Sequence, residues 1–190
     1  MIKFVSTLLF LVLFIQSICL SDDQKIQEKP SKKALVVIDV QNDYFPDGKF
    51  PLWNTESTLN NIEQAIKMAR EKGIYIIHIQ HVANSKMGIA PFFNEGTDGV
   101  KIHPRILKAA PESPVIVKQF ADSFVKTELE STLSNLGITE LLVCGMMTQN
   151  CVTHTAISKS AEKYKVSVLY DCCTTVNEMI HNIAIHALIT

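Results

Sequence analysis

Five short apolar runs are interleaved with segments of helical periodicity, and that alternation restricts this chain more than any single motif. The runs are ALVVIDV (34–40), IYIIHIQHV from 74, PVIVK from 114, ELLVCG from 140 and VSVLYD from 166. Leu59, Ile62, Ile66 and Ala69 recur at helical spacing before Gly73, and Leu129, Leu133 and Leu136 do so before Gly137. A further helix is predicted after Thr148, and a last one carries Met179, Ile180, Ile183, Ala187 and Leu188. Strands separated by helices return by crossover, so the sheet is mainly parallel and buried on both faces. The expected fold is α/β: a doubly wound three-layer α/β/α sandwich with five or six strands. With 190 residues, 47% of them apolar, one such domain accounts for the chain.

The domain is expected to span 34–190. Ahead of it, MIKFVSTLLFLVLFIQSICL places Lys3 before an apolar run and small residues, which makes 1–21 a secretory signal peptide or, if uncleaved, an N-terminal membrane anchor. Residues 22–33 are polar and read as a linker. The expected location is therefore secreted, periplasmic or lumenal, with membrane anchoring as the alternative. The formal net charge of −1 gives no field to draw the chain onto nucleic acid, so the expected partner is a small-molecule substrate. Beyond the leader, Cys144, Cys151, Cys172 and Cys173 read as free thiols, because a domain of this size needs no disulfide framework.

In open parallel sheets ligands bind outside the carboxyl ends of the strands. Asp39 ends the first run, Lys118 ends the third, and Gly145 ends the fourth just ahead of Cys151. With Thr148 as N-cap, Cys151 would stand in the first turn of a helix, where free N–H groups favour a thiolate. A nearby ammonium would favour it further, and Asp39 could take the thiol proton and return it to a leaving amine. The long irregular stretch 83–113 reads as a lid or binding loop.

The segments VVIDVQNDYF (36–45), IVKQFADSF (116–124), VCGMMTQNCV (143–152) and VLYDCCTT (168–175) resemble, in order, the signature segments of the isochorismatase-like cysteine hydrolases. EGTDGVKIHP (95–104) also resembles a loop of the hydrolase branch. The resemblance implies a catalytic triad of Asp39, Lys118 and Cys151. It also implies a cis peptide between Met146 and Met147, and an oxyanion hole from the backbone N–H groups of Met147 and Cys151. Isochorismatases proper lack the cysteine, so Cys151 points to the amidase-like branch and to cleavage of an amide, ureide or carbamoyl C–N bond through a thioester.

Tyr44, Phe120 and Phe124 are candidates for the substrate pocket, while Asp43 reads as a turn-stabilising carboxylate. Nicotinamidases of the same superfamily bind a metal through an Asp-x-His pair, which IIHIQHVANSKMG does not contain. His78 and His81 are three apart on a strand and face opposite sides, so no metal and no other cofactor is expected. His103, His154, His181 and His186 read as surface or packing residues. Relatives commonly assemble, so a homo-oligomer is expected. Two other readings stay open: a non-catalytic binding or assembly subunit with the same fold, and a metal-dependent nicotinamidase-type amidase.

Overall fold

The computed structural model describes residues 32–188; the expected signal peptide and most of the linker lie outside them. The apolar runs become β1 (Lys33–Ile38), β2 (Tyr75–His81), β3 (Val115–Lys118), β4 (Glu140–Met146) and β5 (Lys165–Thr174). All pair in parallel, in the order β3-β2-β1-β4-β5. β1 starts before the expected domain boundary, because the Lys32 carbonyl accepts the N–H of Thr139 and ties the chain to the sheet there. From Ala34 to Ile38 every residue of β1 is buried, as a strand covered on both faces must be.

Helix α1 (Thr55–Glu71) exists because Leu59, Ile62, Ile66 and Ala69 form one buried stripe. Gly73, with φ of +65°, turns the chain out of it, and the Ile74 N–H returns to the Ala69 carbonyl. The stretch 83–113 is less irregular than its composition implies. It holds a 3-10 turn at Ser85–Met87 and a helix, α2 (Pro104–Ala109), whose proline sits in the first turn where no N–H is needed. Helix α3 (Leu129–Asn135) precedes β4, and α4 (Thr153–Ala156) and α5 (Glu178–Ala187) complete the fold.

The strand order steps one way from β1 to β2 and β3, and the other way from β4 to β5. The topological switch point therefore lies between β1 and β4, where a crevice opens beyond the strand ends. Gly145 lets these strands approach: its φ is +122°, and a Cβ there would lie 2.0 Å from the Ile38 carbonyl oxygen. The register between β4 and β5 shifts at the same point, between Val143 and Gly145.

Candidate active site

Asp39 follows β1 and Cys151 follows β4, the two strands that flank the switch point, and Lys118 reaches in from the end of β3. Asp39 leaves β1 with φ of +50°, an uncommon backbone for a residue other than glycine and one that clusters at functional sites. Its side chain is fully buried, with Oδ2 2.7 Å from Lys118 Nζ. Both carboxylate oxygens are buried, and the Cys151 thiol is the other hydrogen-bonding group facing them. The Cys151 thiol, also buried, shares this space: one ligand atom each from Asp39, His81 and Cys151 lie within 4.8 Å of one another.

The thiol stands on a π-helical turn, Thr148–Val152, rather than in the first turn of an α-helix. Such turns occur chiefly as single units at functional sites. Met147, with extended backbone, caps it, and Thr148 does not: the Thr148 hydroxyl instead meets His181 Nδ1 at 2.9 Å. The peptide between Met146 and Met147 is cis. Both Met147 and Cys151 are buried at this turn.

Burial pushes the Cys151 thiol up from its ordinary value, and the Asp39 carboxylate adds to the rise while Lys118 opposes it. Burial and the neighbouring carboxylate thus favour the protonated thiol here, where a helix start would favour the thiolate. Burial also works against the Lys118 ammonium, but the facing Asp39 and Cys151 reverse this and hold it above its ordinary value.

His81 is the residue that spacing does not reveal. The β2–β3 register pairs His81 with Lys118, and His81 Nδ1 lies 3.0 Å from Lys118 Nζ. His78 does face the other way, toward the Ala110 carbonyl at 3.2 Å. The Asp39, His81 and Cys151 atoms have the chemistry of a metal trio, but an ammonium already stands 2.7 Å from Asp39 Oδ2 and 3.0 Å from His81 Nδ1. Two cations cannot share that space, so the residues do not fit a metal while Lys118 holds this position.

Of the three aromatic candidates, Tyr44 belongs to the centre. It is buried, and burial together with Asp39 and Cys151 raises its phenol. Its ring meets Phe93 at 4.6 Å and Phe92 at 5.4 Å, and Phe93 lies 5.9 Å from the His81 ring. Phe92 and Phe93 were not among the sequence candidates; the signal was the pair of aromatics inside the predicted binding loop. Phe120 contributes its carbonyl, which accepts from Lys118 Nζ at 3.1 Å, while its half-exposed ring lies under the Lys126 ammonium. Phe124 departs from the expectation: it is buried, and its ring stacks on Tyr164 as core packing.

Asp43 ties the loops together. Its carboxylate accepts the N–H groups of Phe93 at 2.7 Å and Lys49 at 3.2 Å. Gly99 packs so closely on that carboxylate that a Cβ would fall 1.9 Å from Oδ1. The four cysteines of the described residues are free and buried.

Comparison with known proteins matches residues 33–189 to the isochorismatase domain. The protein YddQ of Bacillus subtilis, of the isochorismatase family, is 39% identical over 149 residues, 78% of this chain and 81% of that protein. The nicotinamidase of Escherichia coli is 27% identical over 179 residues, 76% of this chain and 84% of its own length. Among solved structures, an isochorismatase family protein from Desulfovibrio vulgaris superposes with a TM-score of 0.75 at 26% identity, covering 83% of this chain and 90% of that one.

Proposed function

The chain belongs to the isochorismatase family, and from that premise we propose that it is a cysteine hydrolase of small-molecule C–N bonds of the amide, ureide or carbamoyl type. One observation carries the reading: the buried Asp39 carboxylate is fixed by Lys118 through Oδ2 and is hydrogen-bonded to the Cys151 thiol. A carboxylate hydrogen-bonded to a thiol is placed to take its proton.

In this reading Asp39 takes the thiol proton as Cys151 Sγ attacks the carbonyl carbon. The oxygen gains the negative charge and is held by the N–H groups of Met147 and Cys151. Collapse breaks the C–N bond, and Asp39 returns its proton to the departing nitrogen, which leaves as amine or ammonia. Water, deprotonated by Asp39, then cleaves the thioester, releasing the acid and restoring the thiol. Lys118 holds the Asp39 side chain in place throughout. Tyr44, Phe92 and Phe93 form the apolar wall for the acyl part.

The test is a library of amides, ureides and carbamoyl compounds offered to the wild type and to Cys151→Ala. Turnover of one class, lost by roughly a thousandfold or more in the variant, supports the scheme. Equal turnover by both proteins rejects it, and a wild type that binds library members without cleaving any supports the reading of a non-catalytic binding subunit.

A further inference from the structure

The proposed mechanism uses Lys118 but leaves unexplained what places it. An ammonium has three N–H donors and no acceptor. Around Nζ stand Asp39 Oδ2 at 2.7 Å, His81 Nδ1 at 3.0 Å and the Phe120 carbonyl at 3.1 Å, with the Cys151 thiol also in hydrogen-bonding contact. Since the ammonium can only donate, His81 Nδ1 is bare, and the neutral ring carries its proton on Nε2.

His81 is itself fixed by a motif residue with no role so far. Gln41, fully buried two positions after Asp39, accepts the His81 N–H through Oε1 at 2.8 Å. Its Nε2 donates to the His81 carbonyl at 2.9 Å and to the Val100 carbonyl. One amide thus clamps the end of β2 to the end of β1 and to the loop that carries Gly99.

We propose that His81, held by Gln41, is a positioning residue that keeps the Lys118 ammonium against Asp39 through its bare Nδ1 and lets go of it when the ring is protonated. This rests on the assignment of Asp39, Lys118 and Cys151 above. A protonated ring has no acceptor to offer and sets a second positive charge against the ammonium. The charged and titratable groups around the ring are Asp39 from the end of β1, Lys118 from β3 and Cys151 from the π-helical turn. Burial and then Lys118 lower the ring from its ordinary value, against Asp39, so release comes at a lower pH than for a free imidazole.

The experiment has two arms. In the first, 15N NMR of the imidazole groups of the wild type at neutral pH is expected to show His81 bare at Nδ1 and protonated at Nε2. Lys118→Gln is expected to raise its titration midpoint. Protonation at Nδ1 in the wild type overturns the proposal, whether or not the variant folds and whether or not Cys151 proves to be the nucleophile. In the second arm, kcat/KM for p-nitrophenyl acetate is followed from pH 8 to pH 5. The wild type is expected to lose activity severalfold through the His81 midpoint. His81→Gln, which can accept from Lys118 but does not titrate there, is expected to retain measurable activity and lose that step. An unchanged step in His81→Gln overturns the proposal. Ester turnover unchanged in Cys151→Ala counts against the nucleophile alone, and the imidazole tautomer still decides this proposal.

Discussion

Lys118 Nζ lies 2.7 Å from Asp39 Oδ2, and neither side chain exposes any surface to solvent. An ion pair this deep adds little net stability, because desolvation of both charges offsets their attraction. Removing one partner is far worse than removing both. Asp39→Asn and Lys118→Met are each expected to lower unfolding free energy by about 3–5 kcal/mol. The double variant is expected to recover much of that loss while remaining inactive. Urea titration of the four proteins checks this, and additive losses in the double variant would contradict it.

Acid should loosen the fold through its buried histidines. His78 is buried, and desolvation lowers it below the ordinary 6.5 despite its bond to the Ala110 carbonyl. Unfolding lets it bind a proton it resists when folded. Its contribution is therefore complete above about pH 6.5 and is lost as pH falls through the folded value. The urea midpoint should drop between pH 7 and pH 5. His78→Gln, which keeps a donor for Ala110, should flatten that drop, and an equal drop in the variant would show that other groups carry it.

Gly145 has no room for a methyl group. A Cβ would collide with the backbone of Ile38 in the strand that positions Asp39. Gly145→Ala is expected to cost about 3 kcal/mol or more, from overpacking against main chain that cannot move aside. The thermal midpoint should fall clearly, and a stable, fully active variant would mean that β1 and β4 can separate.

The aromatic wall should govern binding more than chemistry. Tyr44→Ala removes the ring that meets Phe92 and Phe93. Aromatic pairs are worth about 0.5–1.5 kcal/mol beyond their burial, so KM for an apolar acyl substrate is expected to rise up to about tenfold while kcat changes less. A fall in kcat with KM unchanged would instead place Tyr44 at the reacting atoms.

The strands were legible because their apolar runs are continuous and buried on both sides, as Ala34 to Ile38 shows. β5 was read short: its central residues sit at the sheet edge and are half-exposed or exposed, so the apolar signal fades before the buried Cys172, Cys173 and Thr174. Asp39, Lys118 and Cys151 could be found because each ends a strand or follows one. His81 could not, since its role depends on a parallel register with Lys118, 37 residues away, that no local pattern encodes. The same holds for the thiol: sequence shows a cysteine after a turn, but not the burial and adjacent carboxylate that raise it above its ordinary value.

The central claim is that Cys151 carries the acyl group between two half-reactions. Wild type mixed with the best substrate from the library and quenched in acid during turnover should give a peptide whose Cys151 is heavier by the acyl group. Cys151→Ala should give no adduct and no turnover. Full turnover in Cys151→Ala would contradict the account.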